Sequence, residues 1–140
     1  MKNLEEKLDI SFLKKATDSF KEALDQYKID KENKFIVDAC IQRFEYCYSL
    51  STKMIKRYLK ITSDTPEEIE AMGFQNLIRK AYSKKMLINS WDKWSEYRDN
   101  RNYTSHAYNE KKAIKLVDGL DSFYNEVYHI YNFLKNSNET

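Results

Sequence analysis

An arginine, a histidine and a tyrosine stand together in the stretch RNYTSHAY, residues 101 to 108, and the histidine is one of only two in the 140-residue chain. The set suits a phosphate ester. A guanidinium can hold phosphate oxygens bidentately and offset the charge of a pentacovalent transition state, and an imidazole can move a proton near neutral pH. RNA supplies its own nucleophile in the 2′-hydroxyl, so Arg101 and His106 could cleave it without a metal and leave a 2′,3′-cyclic phosphate. On a regular helix Arg101 and Tyr108 lie within about 20° of each other, whereas His106 is turned about 140° away from Arg101. A helix that ends near residue 105 and turns into the next could fold the histidine back, and the helix C-terminus would favour the imidazolium. Spacing alone leaves another reading open, in which Arg101 is a surface or capping residue, His106 a hydrogen-bonded cap, and Tyr108 one of eleven tyrosines.

Other chemistries find less support. Cys40 and Cys47 are seven residues apart in what reads as one helix, about 10 Å between backbones and beyond disulfide reach, so they read as small core residues. With those two cysteines on one stripe and His106 far from His129, no zinc spacing can be assembled and no metal or other cofactor is expected. His129 sits in an amphipathic pattern and reads as structural. A net charge of +2 gives only a weak global field, so a nucleic acid would need a local patch. The charge is uneven: residues 79 to 101 carry Arg79, Lys80, Lys84, Lys85, Lys93, Arg98 and Arg101 against Asp92, Glu96 and Asp99, whereas residues 64 to 78 hold four acids and no base. The basic excess surrounds the candidate site, although such runs are commonly solvated helix faces.

The elements that must position these residues are helices. Two glycines and one proline leave little material for hairpins or phosphate-cradling loops, and 41% hydrophobic residues supply enough core for one ordinary domain, residues 1 to 140. The spacing of Leu4, Leu8, Phe12, Ala16, Phe20, Ala23, Leu24 and Tyr27 predicts a helix over about 3–28. Val37, Cys40, Ile41, Phe44, Cys47, Tyr48, Met54, Ile55 and Tyr58 predict a second over about 33–60, expected to be the longest and most buried. Thr65, Pro66 and Glu68 form a capping-box signature for a short helix over about 66–72, which Gly73 could end in a left-handed turn, and another short helix is expected over about 75–84. A further helix begins near Asn89 or Ser90, with Trp91, Trp94 and Tyr97 facing inward, and the RNYTSHAY stretch closes it. Asn109 is a plausible cap for a last helix over about 110–135. The opening MKNLEEKLDI is too charged for a signal peptide, and no apolar run could span a bilayer, so a cytoplasmic protein without a membrane partner is expected.

IQRFEYCYSLSTKMIKRYL at 41–59, FQNLIRKAYSKKMLI at 74–88 and RNYTSHAYNEKKA at 101–113 together resemble the bacterial nucleotidyltransferase substrate-binding proteins of the HEPN superfamily. The arginine, four-residue gap, histidine, one-residue gap and tyrosine look like the signature of HepT-type toxins, which are encoded beside a minimal nucleotidyltransferase, MntA. The resemblance implies an all-α, antiparallel up-and-down bundle of four long helices, with short helices between the second and third. It implies a homodimer, able to form a heterotetramer or larger assembly with the transferase, and an RNA substrate. It implies that Arg101 and His106 are a ribonuclease pair, that Asn102 is the polar residue following the arginine, and that Tyr108 accepts AMP from the partner. RFEY at 43–46 matches the family's second-helix motif. Helical spacing sets Gln42, Glu45, Tyr46 and Ser49 on one face, and these, with Arg43 and Arg98, are candidates for the dimer cleft. The family's older name implies an alternative, a non-catalytic subunit that presents a substrate to a separate nucleotidyltransferase chain.

Overall fold

The computed structural model describes residues 8–106 and 109–139, apart from the side chains of Ser105 and His106. The described residues form seven α-helices and no strand: α1 (Ser11–Ile29), α2 (Lys34–Ile61), α3 (Pro66–Ala71), α4 (Phe74–Ser83), α5 (Trp91–His106), α6 (Glu110–Asp118) and α7 (Leu120–Asn138).

The directions follow from contacts at matched levels. Near one end of α1 the Leu8 carbonyl accepts from Asn138 at 2.9 Å, and near the other the Tyr27 hydroxyl donates to Asp118 at 2.6 Å. Thus α1 runs against the α6–α7 arm. Phe44 packs on Phe123 and Tyr58 on Phe133, so α2 runs with α7. Trp94 meets Glu126 and Tyr97 meets Ser122, so α5 runs against α7. The long helices therefore alternate as the antiparallel up-and-down bundle expected of the family. Its centre is a cluster of rings, Phe20, Phe44, Tyr48, Trp94, Tyr97 and Phe123, in tilted and edge-to-face contacts. Such arrangements set positive ring edges against negative ring faces.

α2, at 28 residues, is the longest described helix, and its apolar stripe is buried from Val37 to Leu59. Cys40 and Cys47 are free thiols within that stripe. Asn33 caps the helix, its side-chain oxygen accepting from the amides of Phe35 and Ile36. Asn109 does the same for Lys111 and Lys112 at the start of α6, as its sequence predicts.

Four local expectations are corrected. Residues 8–10 are not helical and α1 starts at Ser11, while the expected turn around Leu4 lies outside the described residues; Asp9 accepts from the Ser11 amide and hydroxyl just before the helix, Leu13 takes a buried position, and Phe12 is 57% exposed. Thr65 does not cap α3 with its side chain. Its amide is already taken by the Ser63 hydroxyl, and its own hydroxyl donates to Glu68. Gly73 is extended, with φ −70° and ψ 160°, and serves as the N-cap of α4. The left-handed residue is Lys85, φ 66°, where Lys85 N–H donates to the Tyr82 carbonyl and Met86 N–H to Ala81 in a Schellman end of α4. Finally, the single helix expected over 110–135 is two, because the turn at Gly119 separates α6 from α7.

Candidate functional site

α5 has two unlike halves. In the first, Trp94 and Tyr97 are buried in the ring cluster. In the second, from Arg98 to Thr104, no side chain is buried. This is what the residue types dictate: the indole and phenol remove large apolar areas from water, while Arg98, Asp99, Asn100, Arg101 and Asn102 stay hydrated.

The first half is held by Glu126, a fully buried acid on α7. One carboxylate oxygen accepts from the Trp94 Nε1 at 2.6 Å and from the Asn89 amide at 3.1 Å, and the other accepts from the Ile88 amide at 2.7 Å. Burial raises the Glu126 carboxyl above its ordinary value, and the three donors, with nearby His129, pull in the opposite direction. His129 is half-buried and bonds to the Lys85 carbonyl at 3.1 Å, which agrees with its structural reading. One carboxylate thus ties the 84–90 linker and the start of α5 to α7. Sequence inspection passed over Glu126, though an acid between Phe123 and Ile130 on a buried stripe is itself a signal, since a buried charge must find partners.

The second half carries the predicted residues. Arg101 is half-buried and Asn102 exposed. The Arg98 guanidinium lies 6.0 Å over the Phe74 ring of α4, a cation–π contact that fixes it at the α4–α5 corner. The phenol of Tyr48 on α2 lies in the field of charges on α5: burial raises its pKa, Arg98 and Arg101 oppose the rise, and Asp99 adds to it. Sequence periodicity marked Tyr48 as core only. Its ring is core, packed on Phe44, Trp94 and Phe123, and its phenol feels the charges of α5. His106 closes α5 in the backbone. Its side chain, and Tyr108 altogether, lie outside the described residues, so the expected gathering of arginine, histidine and tyrosine is seen here only at its arginine end.

Of the α2 candidates, Gln42 and Tyr46 are exposed, and Glu45 and Ser49 half-buried, on one polar face. Arg43 is engaged elsewhere. Its Nη1 donates to the Ser19 carbonyl at 2.8 Å and so joins α2 to α1. Where α5 meets α6, a pocket of about 350 Å³ is lined by Asn100, Tyr103, Lys112, Lys115, Leu116 and Gly119. The Tyr103 phenol oxygen is buried without a hydrogen-bond partner among the described residues, and Lys112 Nζ lies 5.6 Å over its ring.

The thiols offer no nucleophile. Burial pushes Cys40 up to about 11 and Cys47 up to about 12, and the Cys47 Sγ donates to the Ala16 carbonyl at 3.3 Å. Among the described residues, no group of three or more His, Cys, Asp or Glu could hold a metal ion, and no helix is long and apolar enough to cross a membrane. What this half of α5 offers an anion is two cations outside the core, Arg98 and Arg101, with Asp99 between them.

Known proteins share this architecture. Residues 8–136 match the family described as nucleotidyltransferase substrate binding protein like. A Haemophilus influenzae protein named probable ribonuclease HepT is 36% identical over 104 residues, which span 74% of this chain and 70% of that protein. A solved Haemophilus influenzae structure, described as revealing the fold of a substrate-binding domain of a nucleotidyltransferase, superposes with a TM-score of 0.83 at 30% identity, covering 91% of this chain and 99% of the other. With the match running from Leu8 nearly to the end of α7 and the bundle shared, the chain belongs to the nucleotidyltransferase substrate-binding protein family, in its HepT-like branch.

Proposed function

We propose that the protein is a HepT-like toxin, a metal-independent endoribonuclease that a cognate MntA-like nucleotidyltransferase neutralises by adding AMP to Tyr108. The observation that carries the proposal is the unburied second half of α5, where Arg98, Arg101 and Asn102 stand outside the core on a helix that ends, in its backbone, at His106. A relative named as a probable ribonuclease supports the same chemistry.

In the proposed reaction a base removes the 2′-hydroxyl proton, the 2′-oxygen attacks phosphorus, and the P–O5′ bond breaks as an acid protonates the departing oxygen. The products are a 2′,3′-cyclic phosphate and a 5′-hydroxyl. Arg101 offsets the charge on the non-bridging oxygens, and Asn102 orients the phosphate. Each chain offers one site histidine, so a two-fold homodimer would supply both base and acid from two copies of His106. AMP on Tyr108 would bring a phosphodiester charge and a base into the space meant for RNA and compete for Arg101.

The test uses purified protein and labelled RNA in the presence of chelator. Cleavage with cyclic-phosphate ends is expected, as is its loss after incubation with the transferase and ATP. The Tyr108→Phe variant should gain no AMP-sized mass and stay active. Cleavage abolished by chelator would sink the metal-free mechanism.

The second reading, a subunit that presents a substrate to the transferase, is favoured by the description of the solved relative as a substrate-binding domain. An inert protein that nonetheless raises the transferase's activity on a third molecule would select it.

A further inference from the structure

The polar face of α2 does not end at Ser49. Lys53 and Lys60 follow Tyr46 at steps of seven residues, and Lys56 follows Ser49 by seven. Each such step turns a side chain by only about 20°. The same face therefore continues into a row of cations, and there it lines a groove of about 310 Å³ formed by Lys53, Lys56, Arg57, Lys60, Ile61 and Glu70.

Four cations meet one carboxylate in that groove. Glu70, on α3, pairs with Lys60 at 2.9 Å and Lys56 at 3.5 Å, and both hold its carboxyl below the usual range. Lys53 and Arg57 are exposed and have no ion-pair partner among the described residues. Like charges crowded on one face destabilise a helix slightly, and Glu70 accounts only for Lys56 and Lys60, so local folding gives no reason for Lys53 and Arg57 to join the row. Successive turns set its cations about 5.4 Å apart, close to the separation of phosphates along an extended single strand. From Tyr48, whose ring meets Trp94 of α5, to Lys60 is twelve residues, about 18 Å of helix.

We propose that this groove is a second contact for the RNA substrate, a phosphate-binding track along α2 that holds the strand several nucleotides away from the bond being cut, with Glu70 as an internal counter-ion that the RNA backbone displaces. That RNA is the occupant rests on the ribonuclease reading; that the occupant is a polyanion rests on the charge of the groove.

Anisotropy with a short fluorescein-labelled single-stranded RNA of mixed sequence, over a range of salt, tests this directly. The Lys53→Glu/Arg57→Glu double variant should bind at least about tenfold more weakly at low salt and lose about 1.4 from the slope of log K against log salt, two single-strand phosphate contacts at about 0.7 each. Glu70→Gln should bind more tightly and with a steeper slope, because it frees Lys56 and Lys60; a merely structural ion pair would not give that sign. Cleavage of a dinucleotide, too short to reach the groove, should be unchanged in both variants. If the variants bind RNA as wild type does, the track is overturned while the ribonuclease reading stands. If the double variant keeps its RNA affinity but loses the transferase, the groove is a protein-docking face and the proposal fails. Wild type that cleaves dinucleotide but gives no salt-dependent RNA binding also overturns the track, and wild type that neither binds nor cleaves RNA removes both proposals.

Discussion

The two halves of α5 share one backbone and little else. From Trp91 to Tyr97 the helix is bound into the bundle through Trp94, Tyr97 and the Glu126 carboxylate; from Arg98 to Thr104 its side chains are half-buried or exposed. The contrast teaches how a small bundle carries a charged site. The buried carboxylate is matched by three donors, while Arg98, Asp99, Asn100, Arg101 and Asn102 lie outside the core.

The sharpest way to break this comparison is to remove side chains from each half and read both activity and stability. Arg101→Ala or His106→Ala should lower the rate of RNA cleavage by roughly 10² to 10⁴, and Arg101→Ala should leave the thermal midpoint near wild type, because Arg101 lies outside the buried core. A large fall in midpoint would mean that the outer half is structural after all. Glu126→Ala should do the opposite. Three buried donors lose their acceptor, at a cost on the order of 3 kcal/mol in chemical denaturation, and whatever protein remains folded should still bind RNA.

A finer test concerns pH. Because burial raises the folded-state pKa of Glu126, its contribution to stability is greatest below the unfolded carboxyl pKa and is lost as pH rises through the folded value. The advantage of wild type over Glu126→Gln should therefore shrink from acid toward neutral pH in denaturation curves. A widening advantage would mean that the three hydrogen bonds outweigh burial. The smallest effect is expected at the linker that the buried half of α5 depends on: Lys85→Gly should stabilise the protein by up to about 1 kcal/mol, since glycine adopts the left-handed conformation without the steric cost that lysine bears.

The bundle was legible where periodicity is strong. The stripe from Val37 to Ile55, the Asn109 cap and the inward Trp94 and Tyr97 all follow from residue types and 3.6-residue spacing. Boundaries were less so. Gly119 breaks the last helix without a proline or a left-handed turn, with φ −94° and ψ 0°, a bend that no pattern of apolar residues announces. Gly73 looked like the left-handed residue, yet Lys85 holds that conformation because the Schellman hydrogen bonds and the burial of Ala81 and Met86 outweigh the preference of its own side chain. On α5 the candidate Arg101 stands out by its company in sequence, whereas the polar roles of Tyr48 and Glu126 do not. Both lie on stripes that read as core, and only three-dimensional packing reveals which polar atom each one directs at a neighbour.

The two cysteines on α2 also give the protein an internal clock. Cys47 faces α1 through the Ala16 carbonyl, and both thiols are closed to solvent with their pKa values pushed up to about 11 and about 12. A thiol reagent reacts with the thiolate, so modification must wait until α1 swings off α2. The labelling rate of Cys47 thus measures how often the bundle opens along that seam.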